Sequence, residues 1–304
     1  MVIAVDTGNS EITTINFRFC SGLVEHRARP LADEYIEYAG SFWTLSNDHI
    51  PYVRNKAADN RFFVLTLFAI VKELTQAKNL RAINEIDLAV GLPPGHMSDL
   101  RNSFEQYYKK EGHVNFAYNG SPLTIVFRNV FVYAQGFAAM APRIAQLMQI
   151  KRICVVDIGG ITTDVLLLIE GRPDKYHSLE IGIIALENTL IGRVGARHNM
   201  TIEADHIEMV LLGQETLLPA EVRETIAEAA QQHTNTILEK LREMQVDLRA
   251  TPAIFIGGGS ILLHDYLKTS PMVASPEFIL DSNANAVGYQ KLAEAQLRKV
   301  AGDI

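Results

Sequence analysis

The sequence is poor in cysteine and carries no concentrated positive charge. Only Cys20 and Cys154 occur in 304 residues, and their wide separation argues against a disulfide framework or a zinc site. Cys154 lies inside an apolar run, so we expect a buried, reduced thiol there. The net charge is −7 and no basic stripe or tail occurs, which argues against direct binding to nucleic acid.

The chain also lacks long apolar runs and the short motifs of several enzyme classes. No apolar run is long enough to span a bilayer, and Asp6 and Glu11 interrupt the region where a signal peptide needs an apolar core. We therefore expect a cytoplasmic protein with no membrane partner. No P-loop, GxGxxG, HExxH or GxSxG pattern occurs, so the corresponding nucleotide, zinc and hydrolase chemistries are unsupported.

What the sequence does contain is a strand–Asp–x–Gly turn. The apolar residues 153–156 end in Asp157, and Gly159, Gly160 and Thr162 follow before a second apolar run. This pattern predicts a buried β-hairpin with a carboxylate at the end of its first strand. Glycine lets backbone N–H groups approach a ligand closely, and threonine adds a hydroxyl donor. Such a turn suits a phosphate chain with Mg²⁺, but it also fits an ordinary glycine-rich hairpin.

Two further turns make the phosphate interpretation more specific. Aligning Asp6 with Asp157 places Gly8 on Gly159 and Asn9 on Gly160, which indicates a duplicated architecture. A third turn follows the apolar residues 253–256 and consists of Gly257, Gly258, Gly259 and Ser260. Three such turns at strand ends are far more specific than any one of them.

These turns resemble the phosphate-1, phosphate-2 and adenosine motifs of the actin/Hsp70/sugar-kinase superfamily. The matching stretches are DTGN at Asp6–Asn9, DIGGITTDV at Asp157–Val165 and FIGGGS at Phe255–Ser260. Other stretches resemble the ParM/StbA family of bacterial plasmid-segregation actins: Leu65–Leu74, Leu88–Pro93, Val132–Ala139 and Ala284–Leu292. The resemblance implies an α/β, actin-like (RNase H-like) duplicated fold with two lobes around a nucleotide cleft. It implies domain I at residues 1–140 with a return over 284–304, and domain II at residues 141–283.

The resemblance also implies functional residues and a ligand, ATP or GTP with Mg²⁺. Asp6 and Asp157 are expected to hold Mg²⁺ through waters, since this ion gives up its hydration shell reluctantly. Gln135 is expected to orient the attacking water, and Gln135, Asp157 and Asp6 form the predicted catalytic set of a nucleoside triphosphate hydrolase. The predicted nucleotide-binding residues are Asp6, Thr7, Gly8, Asn9, Asp157, Gly159, Gly160, Thr162, Gly182, Glu187, Gly257, Gly258, Gly259 and Ser260.

One residue departs from the family pattern. The family usually has lysine, asparagine or glycine just after the first turn, where Ser10 and Glu11 stand here. A carboxylate aimed at a phosphate would repel it, so we expect Glu11 to face away.

Periodicity predicts the local structure around these motifs. Helices are expected at residues 60–76, 221–244 and 261–267, and around Ala138–Ile150. A further helix is expected to begin at Gly182, and its apolar residues are Ile184, Leu186, Leu190 and Ile191. Residues 50–56 are expected to form an exposed loop, either solvated or touching a neighbouring subunit.

The main functional hypothesis is a filament protein driven by ATP or GTP. Its predicted partners are further copies of itself, head to tail, and a DNA-binding adaptor protein of a plasmid partition system. One alternative is a small-molecule kinase of the same superfamily, acting on sugars or acetate. Another is a non-polymerising actin-like or chaperone-type binding module.

Overall fold

The computed structural model describes residues 1–110 and 112–302, and the chain divides into two compact units. Unit 1 consists of Met1–Pro142 together with the chain from Asn283 onward, and unit 2 is Arg143–Ser282. The predicted domain boundaries after residues 140 and 283 fall close to this division. Residues 303 and 304 of the predicted return lie outside the described residues.

The strands and helices follow one another along the chain as two α/β arrays. The strands are β1 Val2–Thr7, β2 Glu11–Thr13, β3 Arg18–Cys20, β4 Leu23–His26, β5 Ile36–Tyr38, β6 Ser41–Leu45, β7 Ile83–Leu92, β8 His113–Tyr118, β9 Ser121–Ala134, β10 Arg152–Ile158, β11 Thr163–Ile169, β12 Arg172–Leu179, β13 Ala253–Ile256 and β14 Pro276–Phe278. The α-helices are α1 Asn60–Gln76, α2 Met97–Lys109, α3 Ile144–Leu147, α4 Ile183–His198, α5 Ala204–Leu211, α6 Ala220–Glu243, α7 Gly258–Leu262, α8 His264–Thr269 and α9 Ala284–Ala301. Short 3-10 helices cover Lys56–Ala58, Pro94–His96 and Ala138–Arg143.

Both units are built on the same sheet topology. The sheet of unit 1 has the order β3-β2-β1-β7-β9-β8-β5-β6-β4, and that of unit 2 has the order β12-β11-β10-β13-β14. In each unit the first strand pairs antiparallel with the next strand along the chain, and parallel with a strand that arrives after a crossover. The strands β8, β5, β6 and β4 extend only the first sheet. The predicted duplicated α/β fold is confirmed.

Helix α1 forms the centre of the core of unit 1. It begins after Asp59, whose carboxylate accepts the backbone N–H of Arg61 at 3.0 Å, a normal N-cap arrangement. Its bounds are those predicted, but the helix is buried on more than one face, from Phe62 through Val71. The single polar side chain within that stretch, Thr66, donates its hydroxyl to the Phe62 carbonyl at 2.8 Å.

Helices α4 and α6 cover the sheet of unit 2. Helix α6 is 24 residues long and buries one stripe that includes Val222, Ile226, Ile237 and Leu241. On α4 the apolar residues differ in burial: Ile191 is 38% exposed, whereas Leu190 is fully buried. Consecutive helical residues point about 100° apart, and on α4 Leu190 faces the core while Ile191 turns toward solvent.

Two predicted helices differ from those found. The region Ala138–Ile150 is a 3-10 helix as far as Arg143 and then the one-turn helix α3. Pro142 explains the difference, because it has no N–H to donate and its ring disfavours an α-helix interior. The helix predicted at 261–267 begins earlier, at Gly258, and breaks into α7 and α8 near Leu263.

Candidate functional site

Asp6 lies at the end of β1 in a closely packed polar cluster of unit 1. Its side chain is buried, and its Oδ1 accepts hydrogen bonds from Gln135 Nε2 at 2.7 Å and from the Tyr289 hydroxyl at 3.3 Å. Burial raises the pKa of Asp6, while Gln135, the charge of Lys56, Tyr289 and Asn285 counteract that rise. The structure therefore brings together two of the predicted catalytic residues, Asp6 and Gln135.

Lys56 is a member of this cluster that the sequence did not predict. The segment 50–56 was expected to be an exposed loop, but Lys56 is buried and its ammonium donates to the Thr7 carbonyl. The ammonium also lies 5.0 Å from the centre of the Phe62 ring. A lone lysine in a polar segment carries no sequence signal of such a contact, because its partner lies 49 positions earlier.

The first turn has the shape that its glycine permits. A Cβ on Gly8 would lie 2.5 Å from the Glu11 carbonyl oxygen, so a side chain cannot be placed there. The Asn9 Oδ1 is buried and has no hydrogen-bond partner among the residues the structure describes. Glu11 lies with its Oε1 3.3 Å from Arg18 Nε, so an arginine offsets its charge.

The second turn holds Asp157 at the end of β10 in unit 2. Asp157 is buried and lies opposite Asp164 in the hairpin, which is closed by the Gly159 N–H donating to the Thr162 carbonyl at 2.9 Å. Asp164 accepts hydroxyl hydrogen bonds from Thr162 at 3.0 Å and from Ser178 at 2.6 Å. The Thr162 hydroxyl, a predicted ligand donor, is thus engaged inside the hairpin.

The predicted glycine positions of unit 2 pack around this hairpin. The carbonyls of Gly159 and Gly160 accept the N–H groups of Ile183 and Ile184 at 3.1 and 2.9 Å, which fixes the start of α4 against the turn. A Cβ on Gly182 would lie 2.4 Å from the Gly160 oxygen.

The third turn approaches the same hairpin. A Cβ on Gly257, whose φ of +86° is left-handed, would lie 2.4 Å from Asp157 Oδ1. A Cβ on Gly259 would lie 2.4 Å from the Ile158 side chain, whereas Gly258 faces open space. Ser260 is fully buried, and its hydroxyl donates to the Ile256 carbonyl at 2.5 Å. The turn therefore presents backbone rather than side chains beside Asp157.

Glu187 is a further buried acid of unit 2, after Asp157 and Asp164. It lies on α4 with 9% exposure, and burial, together with the charge of Glu208, raises its pKa to about 7. Burial lowers the pKa of His233 on α6, and a hydrogen bond with the Gly182 backbone partly offsets this. His233 Nε2 has no partner in the described part of the chain.

Each unit offers residues that suit a hydrated magnesium ion. In unit 1, Asp6 has a buried carboxylate at the end of β1, and Asn9 has an oxygen acceptor with no hydrogen-bond partner among the described residues. In unit 2, Asp157 has a buried carboxylate at the end of β10. Within residues 1–110 and 112–302, no group of three or more His, Cys, Asp or Glu side chains is placed to hold a metal ion. The same residues contain no helix long and apolar enough to cross a membrane.

Comparison with known proteins gives two family matches that divide the chain. Residues 38–137 match the N-terminal domain of actin-like proteins, and residues 155–269 match the C-terminal domain of archaeal MreB-like actin homologues. Both models describe actin-like proteins, and each matches a different part of the chain. A search of curated proteins gives no match.

Among solved structures the chain is similar to archaeal and plasmid actins. The native structure of the archaeal actin homologue Ta0583 has a TM-score of 0.78 at 18% identity, covering 97% of this chain and 99% of the other. The apo psk41 ParM protein has a TM-score of 0.71 at 17% identity, covering 99% and 98%. The AlfA filament from the B. subtilis plasmid pLS32 has a TM-score of 0.58 at 16% identity, covering 94% and 97%. The predicted resemblance to the ParM type is confirmed as a likeness of fold. Ta0583 was also solved in complex with ADP.

Proposed function

We propose that this chain is a nucleoside triphosphate hydrolase that polymerises into filaments and thereby segregates plasmid DNA. The observation that carries the proposal is one Asp–Gly hairpin that recurs at the same position of two sheets, which share an order of five strands. An ADP complex of Ta0583 and a filament of AlfA, both of this fold, support the nucleotide and the polymer.

The chain's own groups suit the binding of ATP or GTP. Backbone N–H groups of the turns at Gly8 and Gly159 would donate to phosphate oxygens, and the open position at Gly258 would face the nucleoside. Asp6 and Asp157 would accept hydrogen bonds from waters on Mg²⁺. When bound, Mg²⁺ would neutralise charge on the phosphates.

Gln135 suits the role of orienting the attacking water. Its Nε2 donates to Asp6 at 2.7 Å, which fixes the plane of the amide and directs Oε1 away from the carboxylate. A fixed amide oxygen can accept a hydrogen bond from water and hold it in line without adding charge. Catalysis of this kind depends on positioning and preorganised electrostatics.

The proposed partners are other copies of the chain and an adaptor. Identical subunits joined head to tail form an open helical filament when the rotation between them does not close a ring. The net charge of −7 does not favour DNA, so a separate DNA-binding adaptor would connect filament and plasmid in the cytoplasm.

Sedimentation combined with phosphate release tests the proposal. Wild-type protein should pellet and release phosphate with ATP or GTP plus Mg²⁺, and should do neither with EDTA. Gln135→Ala should pellet but release phosphate about 100-fold more slowly or worse. Absence of any nucleotide-dependent polymer would contradict the proposal, and transfer of phosphate to an added sugar or acetate would indicate the kinase alternative.

A further inference from the structure

Helix α9 contributes two polar side chains to the cluster around Asp6. Tyr289 is fully buried and donates its hydroxyl to Asp6 Oδ1 at 3.3 Å. One turn earlier, Asn285 accepts the backbone N–H of Gly136 at 2.9 Å through its Oδ1. The Asn285 side chain also helps to lower the pKa of Asp6 through a hydrogen bond. The helix therefore contacts the carboxylate and the residue next to Gln135.

The close approach of α9 depends on glycine at two positions. A Cβ on Gly91 of β7 would lie 1.9 Å from the Tyr289 hydroxyl oxygen. A Cβ on Gly288 would lie 1.9 Å from the Ala138 carbonyl oxygen. Apart from Tyr289, the buried residues of this contact are alanines, namely Ala4, Ala89, Ala138, Ala286 and Ala293. These residues let the tyrosine hydroxyl reach the carboxylate.

Gln135 is consequently held from two sides. Its amide shares Asp6 Oδ1 with Tyr289, so the two donors fix where that oxygen lies. Its main chain is fixed by its own N–H, which donates to the Leu92 carbonyl at 2.9 Å, and by the Gly136 N–H bound to Asn285. Gly136 has a φ of +72°, a conformation that most other residues adopt only with strain.

Packing alone does not explain the tyrosine hydroxyl. Phenylalanine would fill the same volume over β7 and would stack on Tyr133 as the Tyr289 ring does, with 6.2 Å between centroids. A buried hydroxyl without a suitable partner destabilises a protein, so its partner defines its role. Here the partner is the carboxylate that also binds Gln135.

We propose that Tyr289 and Asn285 are positioning residues that set the orientation of the Gln135 amide and hence the rate of hydrolysis. The inference rests on the proposed function, because that function requires Gln135 to orient the attacking water. It adds a role for α9: a shift of this helix changes the placement of Gln135 without changing any residue that contacts the nucleotide.

Kinetics of two matched variants test the role. Tyr289→Phe should lower kcat about tenfold, the effect of losing one hydrogen bond to a charged group, with the KM for nucleotide nearly unchanged. Tyr133→Phe is the control, because its hydroxyl bonds the exposed Gln296 at 3.2 Å and not Asp6. It should retain wild-type kcat.

A spectroscopic measurement tests the same point without turnover. The side-chain amide resonances of Gln135, assigned by their loss in Gln135→Ala, should shift in Tyr289→Phe and stay in place in Tyr133→Phe. Asn285→Ala should speed hydrogen exchange of the Gly136 amide, whereas Asn285→Asp, which keeps an acceptor oxygen, should restore its protection. Circular dichroism would confirm that each variant is folded.

The outcomes separate this inference from the function on which it rests. Wild-type protein that neither binds nor hydrolyses nucleotide would overturn the proposed function and, with it, the positioning role. An active wild type with unchanged kcat and unchanged Gln135 resonances in Tyr289→Phe would overturn the positioning role alone.

Discussion

At the residue scale, buried Lys56 is the main positive charge that acts on Asp6. Its position beside the Thr7 carbonyl places a cation at the first turn, where Ser10 and Glu11 supply none. The Lys56 ammonium is held in one place by the Thr7 carbonyl and the Phe62 ring. A fixed cation at this position would attract phosphate oxygens.

We therefore expect Lys56→Met to weaken Mg²⁺–nucleotide binding about tenfold, since it removes the charge and keeps most of the stem. Lys72→Met is the control: Lys72 also lies in unit 1 near an aromatic ring, Phe19 at 5.9 Å, but pairs with Glu34 at 2.7 Å. Titration with a fluorescent nucleotide measures both. Equal affinities for the two variants would assign Lys56 a structural role only.

Glu187 gives unit 2 a pH-dependent stability. Its pKa rises from an ordinary 4.5 to about 7, so the folded state binds a proton that the unfolded chain has already lost. The resulting stabilisation is complete below about pH 4.5, declines as pH rises, and is gone above about pH 7.

We expect Glu187→Gln to flatten that decline in the free energy of unfolding between pH 5 and 7, measured by urea titration. Glu208→Gln should reduce the decline partly, because Glu208 adds to the pKa shift. The test quantity is the free energy of unfolding of the wild type minus that of Glu187→Gln. If this difference rises with pH over the interval, the assignment to Glu187 is contradicted.

Site residues that lie within one turn can be predicted from the sequence, whereas site residues that distant segments contribute cannot. Asp6, Gly8, Asp157 and Gly159 share a spacing visible in the sequence. Lys56 and Tyr289 reach the cluster around Asp6 across 49 and 283 positions, and no local pattern encodes such a contact.

At the element scale, the contact of α9 with the 3-10 segment Ala138–Arg143 controls how closely the last helix approaches β1 and β7. Gly288 lies against the Ala138 backbone, which cannot move aside as a flexible side chain would. The helix and the segment are thus in direct backbone contact.

Gly288→Ala should therefore destabilise the protein by about 1–3 kcal/mol, the usual cost of overpacking. Gly192→Ala on α4 is the matched control, because a Cβ there meets nothing within 4 Å. That substitution should leave stability unchanged or raise it by about 0.5–1 kcal/mol, since alanine favours helix. Thermal unfolding of both variants measures the difference, and similar melting temperatures would contradict the packing argument.

Element boundaries were predictable where periodicity was long and uninterrupted. Helices α1 and α6 have the predicted bounds to within a residue because each presents several turns of apolar positions. The Ala138–Ile150 region failed because alanine favours helix while Pro142 forbids its α form. Short strands such as β3 and β4 have too few residues to show a period.

At the scale of the whole molecule, the predicted duplication is visible as one strand order used twice. The alignment of Asp6 with Asp157 captured this, because both stand at the end of a first strand. The duplication does not predict the four strands that extend only the first sheet, because an insertion has no counterpart in the other half.

If both hairpins serve the nucleotide, ligand binding should stabilise the entire chain. With ATP or GTP at 100 times its Kd in the presence of Mg²⁺, the gain should be about 2.7 kcal/mol. Removing Mg²⁺ with EDTA should abolish most of it, as should Asp157→Asn. Differential scanning fluorimetry measures the shift, and a melting temperature indifferent to nucleotide would argue against the ligand.

The bond between Tyr289 and Asp6 spans 283 positions of the chain. While the protein is being made, a ribosome must add all of unit 2 after β1 before the tyrosine exists, which takes on the order of tens of seconds. A nascent chain therefore carries its first carboxylate without the last of its donors for that whole period. Completion of the cluster therefore comes only after translation of the second sheet.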